Sequence, residues 1–214
     1  MERRSLTDQI VGAVRDDIVE GLLGPGTSLR EQALSERFDV GRSTVREAIK
    51  VLVSEGLVTH EHHRGAIVTK HTAADVDDLL NARVMIERQV AASPPRQSGE
   101  AEMALADMRA AVQRQDWRAA AKADERFHHA LVTALTSPRI SAFHAQLQGE
   151  MRLLLVSADR DQFEADKVVE HQRLLQLAVG GDREAYLRAA IHHVTRSREQ
   201  LLHVAAGDDA GTAG

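Results

Sequence analysis

Two groups of side chains in this 214-residue sequence have types and spacings that can do chemistry. The first is an aspartate and three histidines in the C-terminal two-thirds. Trp117, Ala120, Ala121, Asp124, His128, Leu131 and Leu135 recur at heptad-like spacing, so Asp124 and His128 fall on one inward helix face, a turn apart. A buried carboxylate costs several kcal/mol unless it is paired or bound to a cation, and an Asp and a His at i and i+4 can offer an oxygen and a nitrogen to one metal. Further on, Val168, His171, Leu175 and Ala178 share a face, and Tyr186, Ala189, Ala190 and His193 share another. Asp124, His128, His171 and His193 could therefore converge from three helices on a divalent ion such as zinc, nickel or manganese. With no cysteine in the chain, such a sphere suits open positions for water or a carboxylate better than a closed structural site. The plainer alternative is that each inward histidine is a hydrogen-bonded core residue. His129 and His192 adjoin the candidate ligands but fall on other faces, which predicts exposure.

The second group lies in DVGRSTVREAIKVLVSEGLV, Asp39 to Val58. Val45, Ala48, Ile49 and Leu52 make an apolar side, while Arg42, Ser43, Thr44, Arg46 and Lys50 are polar. Recognition helices present their first residues to base edges, where Arg grips guanine O6 and N7 and Ser or Thr reaches bases or phosphates. Downstream, Arg64-Gly65 closes a histidine-rich turn, and an Arg at a wing tip is drawn to a narrow minor groove. The alternative is a solvated helix face. Residues 1–70 hold ten Lys/Arg against eleven Asp/Glu, but residues 40–70 hold five against three, so basic residues gather on the candidate reading elements.

The elements that must position these groups are legible from periodicity. Leu6, Ile10, Val14 and Ile18 give a first helix, stopped by GLLGPGTSL; Ala33, Leu34 and Phe38 give a short second; the opening stretch gives a third, ended before Gly56. Two β-prone runs, Leu57–His60 and Ala66–Thr69, flank the turn. Three helices and a hairpin form a winged helix-turn-helix over 1–70. Thr72 and Asp75 suit a variant capping box. From there the sequence predicts helices over Ala73–Ala92, Glu100–Arg114, Trp117–Thr136, Arg139–Ser157, Gln162–Val179 and Arg183–Val204. The fold class is mainly α: a winged head, then an all-α six-helix bundle over 73–205, with 206–214 a disordered tail.

Composition limits the function classes. Hydrophobic content of 43% supports real cores, and 3% aromatic residues means cores of Ala, Leu, Val and Ile. A net charge of −5 argues against indiscriminate nucleic-acid binding, though not against a local basic face. No apolar run is long enough for a membrane span, and the N-terminus lacks the apolar region of a secretory signal. A soluble cytoplasmic protein is expected.

Asp39–Val58, with IVEGLLGPGTSLREQALSERF before it, resembles the signature of the GntR family of bacterial transcription regulators. The resemblance implies DNA contacts from Arg42, Thr44 and Arg46, with Gly65 at the wing tip. Gly41 stands where the family usually has Ser or Thr, and Gln32 where some members carry a DNA-contacting Arg. DERFHHALVTALTSPRI, EHQRLLQLAVGGDREAYLRAAIHHV and RVMIERQVAA resemble the FCD effector domain of the FadR subfamily, many of whose members bind a metal through one Asp and three His. That resemblance implies Asp124, His128, His171 and His193 as ligands, with His193 favoured over His192, and Arg83 facing an effector cavity. The family departures are Pro94-Pro95, where relatives continue a helix, and Ser137 in place of Asn. The expectation is a homodimeric regulator, a repressor rather than an enzyme, binding a palindromic operator and a small carboxylate metabolite. Two alternatives stay open: a metal sensor without organic effector, and a metalloenzyme bundle with Glu87 as the nearest candidate base.

Overall fold

A computed structural model describes residues 5–93, 95, 98–157, 165–196, 198–199, 201–203 and 205, the side chains at 19, 155–157 and 165 excepted. The chain divides into two compact units, the first of residues 1–73, 146–158 and 203–214 and the second of 74–145 and 159–202.

In the first unit, α1 (Leu6–Val19) opens on a reciprocal cap: Ser5 Oγ accepts from Asp8 N at 3.1 Å, and the Asp8 carboxylate accepts from Ser5 N at 3.1 Å. Then follow α2 (Glu31–Phe38), α3 (Arg42–Ser54), β1 (Val58–Glu61) and β2 (Gly65–Val68). Three of the four residues of the stripe read from α1 are buried: Ile10, Val14 and Ile18 pack with Leu34, Val45, Ala48, Ile49, Leu52 and Val68, whereas Leu6 is exposed. β1 and β2 pair antiparallel from Val58–Val68 to Glu61–Gly65. Gly65 takes φ +76°, a left-handed conformation that glycine adopts without steric cost.

One element was not legible. Residues 26–29 lie along β2: Gly26 N donates to Val68 O (2.9 Å), Val68 N to Thr27 O (2.9 Å) and Leu29 N to Ala66 O (2.8 Å). This edge is too short, and too close to Gly24-Pro25-Gly26, to show a period of its own.

In the second unit, α4 (Ala73–Ala92), α5 (Gly99–Gln113), α6 (Trp117–Thr133), α8 (Ala165–Gly180) and α9 (Arg183–Thr195) enter almost whole, and α7 (Pro138–Ser157) contributes residues 138–145. Small residues let α5 and α6 approach closely: Ala101, Ala104 and Ala111 on one, Ala120 and Ala123 on the other, are all buried. Asp116 and Asp182 cap α6 and α9, each accepting from the amide three residues on at 3.0 Å. α4 ends at Ala92, just before the two prolines, as predicted.

α6 stops earlier than its apolar pattern predicts, whereas α9 is interrupted by a turn at Arg196 and helical backbone resumes at 198–199, 201–203 and 205. α6 ends at Thr133, whose Oγ1 donates back to Ala130 O (3.0 Å), and α9 ends at Thr195, whose Oγ1 donates to Ile191 O (2.8 Å). Such back-bonding competes with the helix's own hydrogen bonds. The break expected at Asp159, the start expected at Gln162 and the 206–214 tail lie outside the described residues. Among those described, no helix is long and apolar enough to cross a membrane.

Candidate functional site

The candidate reading head is α3. Its inner face, Val45, Ala48, Ile49 and Leu52, is buried and leaves Arg42, Ser43, Arg46 and Lys50 exposed, with Thr44 half-buried. Gly41 is the N-cap and makes no side-chain cap bond, so the first turn relies on main chain, Thr44 N donating to Gly41 O at 3.0 Å. The cations have weak local partners. Arg46 Nε lies 3.2 Å from Glu31 Oε2, Arg42 Nη2 3.5 Å from Gln32 Oε1, and Lys50 Nζ 2.8 Å from Glu47 Oε1. Exposed pairs of this kind are worth about 0–1 kcal/mol, little for a phosphate or base edge to replace. Gln32, singled out as a family departure, thus lies against Arg42, one of the arginines expected to contact DNA. On the wing, Arg64 is exposed and pairs with Glu61 at 3.0 Å, and the space around Gly65 is open.

The second site joins α6, α8 and α9. His128 Nε2 lies 3.2 Å from both His193 Nε2 and His171 Nε2, and the three ligand nitrogens fall within 4.8 Å of one another. Asp124 Oδ1 lies 2.8 Å from His171 Nε2. The three predicted histidines therefore meet, and Asp124 joins them through His171, whereas His129 and His192 are exposed. A divalent ion about 2.1 Å from each imidazole nitrogen separates its ligands by about 3.0 Å in an octahedron and about 3.4 Å in a tetrahedron. The observed 3.2 Å spacings fall between these values.

The far sides of the rings set their tautomers. His171 Nδ1 lies 2.6 Å from Lys167 O, and a carbonyl only accepts, so that nitrogen carries a proton. His193 Nδ1 donates likewise to Glu170 Oε2 at 3.1 Å, and Glu170 also accepts from Arg196. Those bonds hold Glu170 down at about 2, led by the one from His193. Each Nε2 lone pair is left pointing into the cluster. Burial lowers the pKa of His128 and of His193, opposing protonation. Burial would raise Asp124, but the charge and hydrogen bond of His171, with the charges of His128 and His193, hold it below the usual carboxylate range.

Beside the cluster, α4 supplies Glu87, and Arg83 on the same helix is buried as well. Tyr186 donates to Glu87 Oε2, and Glu87 Oε1 lies 4.0 Å from His128 Nδ1. Burial raises the Glu87 pKa and lowers that of Arg83, the latter offset by the charges of Glu87 and Asp124. Arg83 Nε and His128 Nδ1 have no hydrogen-bond partner. Sequence reasoning missed Glu170, Tyr186 and His144. Glu170 and Tyr186 act through partners on other helices, which no local pattern reports. His144 did leave a signal: it falls in register with Leu147 and Met151, both buried.

The comparisons with known proteins bear on both sites. Residues 6–68 match the model of the bacterial regulatory proteins of the gntR family, and residues 78–196 match the FCD domain. The regulator BphR of Paraburkholderia xenovorans is 39% identical over 84 residues, covering 39% of this chain and 34% of that one. This chain therefore spans about a third of that relative's length. The gluconate operon transcriptional repressor of Bacillus licheniformis is 25% identical over 207 residues, covering 94% and 81%. A crystal structure of a GntR regulator from Rhodococcus sp. RHA1 superposes with a TM-score of 0.78 at 27% identity, covering 94% and 99%. With the reading head in the first match and the histidine cluster in the second, the chain belongs to the GntR family of DNA-binding transcriptional regulators, in the branch that carries an FCD effector domain.

Proposed function

We propose that this chain is a homodimeric repressor whose hold on a palindromic operator is governed by a small carboxylate metabolite bound beside a divalent metal ion. The working division is a DNA-binding domain over 1–70 and an effector and dimerisation domain over 73–205. One observation carries the effector half: His128, His171 and His193 converge, with Asp124 against His171, in the unit that also buries Arg83. When bound, the ion supplies positive charge and open positions for an anionic oxygen. Arg83 orients the carboxylate through charge-assisted hydrogen bonds. Lys167 O and Glu170 hold the His171 and His193 rings with Nε2 turned inward, as outer partners of metal-binding histidines do.

On the DNA side, Arg42, Ser43, Thr44 and Arg46 read one half-site and Arg64-Gly65 follow into the neighbouring groove. Two half-sites require two heads, which is the ground for the dimer. The repressor reading takes support from the Bacillus licheniformis relative, itself a repressor by name. Coupling is linkage: an effector that favours the dimer geometry unable to bind DNA must weaken operator affinity by the same free energy.

A metal sensor without organic effector is the second reading, favoured by the close approach of the three imidazoles. The metalloenzyme alternative is set aside, since the relatives are transcriptional regulators. Metal content and operator affinity, measured with chelator and then with small carboxylic acids, separate the two. Release by a carboxylate from metal-loaded protein supports the effector reading. Release by chelator alone, with no acid having any effect, overturns it in favour of the sensor.

A further inference from the structure

α8 and α9 follow one another across Gly181 and Asp182 and leave an open groove between them, a cavity of about 310 Å³ wholly within the second unit. That volume lies at the lower end of the range for small-molecule sites. Its floor is apolar, made by Leu174 of α8 and by Ala185 and Ala189 of α9. The two alanines leave space that longer side chains would fill. Around the mouth stand Arg173, next to Leu174, then Arg188, next to Ala189, and His192, one turn beyond Arg188; all three are exposed.

The charges of the groove are not balanced from within. Glu170 is the one acid that lines it, and both of its oxygens are engaged, Oε2 by His193 and Oε1 by Arg196. Arg173 has no hydrogen-bond or ion-pair partner among the described residues. Arg188 pairs with Glu184 at 3.4 Å, but both side chains are largely exposed, so water and salt screen that pair. An apolar floor beneath two uncompensated guanidiniums is complementary to an anion that carries an apolar body. The number of donors selects among anions. A carboxylate has a single charge and two acceptor oxygens, whereas a phosphate monoester carries about −1.5 to −2 at pH 7 and offers three. Two guanidiniums and the ring N–H of His192 match the phosphate.

We propose that the groove between α8 and α9 is an anion site separate from the histidine cluster, and that it takes a phosphate monoester with an aromatic or short aliphatic body. Arg173 and Arg188 grip the phosphoryl oxygens, His192 donates to the third, and the body lies on Leu174, Ala185 and Ala189. The His193 ring divides the two sites, with Nε2 towards the cluster and Nδ1 towards Glu170 in the groove wall. Neither a metal ion nor an effector is needed for binding here.

The probe is phenyl phosphate, titrated calorimetrically into full-length protein, with inorganic phosphate and benzoate as partial mimics. Phenyl phosphate should bind about tenfold or more tighter than either mimic, because it alone engages both rim and floor. Arg173→Gln and Arg188→Gln should each weaken it by about tenfold while keeping the wild-type Tm, since both arginines are exposed. Ala189→Leu, which fills the floor, should weaken phenyl phosphate at least about fivefold yet leave inorganic phosphate within about twofold. Chelator-treated wild type should bind phenyl phosphate as the metal-loaded protein does. Equal affinity for all three probes marks a general attraction to a basic surface and overturns the proposal. So does unchanged binding in either arginine variant, or an Ala189→Leu protein that still prefers phenyl phosphate as wild type does. Binding that disappears with chelator places the anion at the cluster instead, and the separate site fails.

Discussion

His128 Nε2 and His193 Nε2, 65 residues apart in sequence, lie 3.2 Å from each other, and His171 Nε2 is equally close to His128. Each partner of His128 has its other nitrogen held from outside, by Lys167 O and by Glu170. The cluster is therefore organised from its perimeter inwards. His171→Ala should remove most bound metal, whereas Glu170→Gln should leave the ligands in place and lower affinity by about 10–100-fold, the usual effect of losing an outer partner. Metal content after gel filtration and a competition titration with a chromophoric chelator measure the two. Unchanged stoichiometry in His171→Ala would remove that residue from the ligand set.

Arg46 offers a cleaner test of the reading head than its charge suggests. Arg46 is exposed and its partner Glu31 half-buried, so Arg46→Ala should leave Tm nearly unchanged. Operator affinity should fall by about tenfold to a hundredfold if the guanidinium grips a guanine. If it holds only a phosphate, the loss should be uniform across sequences and the salt slope should shrink by about 1. Fluorescence anisotropy at several salt concentrations distinguishes these outcomes, and unaltered binding would refute the assignment.

His144 also predicts a pH dependence. Its pKa falls from about 6.5 in an unfolded chain to about 3 in the fold. Between those values the unfolded state holds more protons, so stability rises with pH. The contribution is fully present above pH 6.5 and drains away as pH falls towards 3. Between pH 6.5 and 5 one such group contributes about 1–2 kcal/mol. His128 and His193, lowered by burial, act in the same direction, and Glu87, raised by burial, acts in the opposite one. The difference between wild type and His144→Leu isolates the His144 share. Urea unfolding of metal-free protein at pH 7 and pH 5 should show a smaller drop for the variant.

Two glycines should respond oppositely to alanine. A Cβ on Gly149 would sit 1.7 Å from the carbonyl oxygen of Glu55 at the end of α3, a backbone atom. Gly149→Ala should therefore push α7 off that end and cost about 2–3 kcal/mol. Gly12, within α1, has open space around its Cβ position, so Gly12→Ala should stabilise by about 0.5–1 kcal/mol. Thermal melts of both variants give the comparison, and a neutral Gly149→Ala would contradict the close approach.

By itself the sequence determined whatever depends on short-range periodicity and on residue type. The α1 stripe, the reading face of α3, the wing hairpin and the inward faces bearing Asp124, His128, His171 and His193 all follow from spacings of two to four residues, and α4 stops where proline forbids continuation. Tertiary structure decided what depends on meetings between distant segments. It placed three imidazoles from three helices at 3.2 Å contacts, gave His193 its Glu170 partner, set residues 26–29 on the edge of β2, and left His144 buried with both nitrogens unpaired. A helical period shows which way a side chain points. Only packing decides what it meets there, because hydrogen bonding and desolvation depend on neighbours that the local chain does not encode.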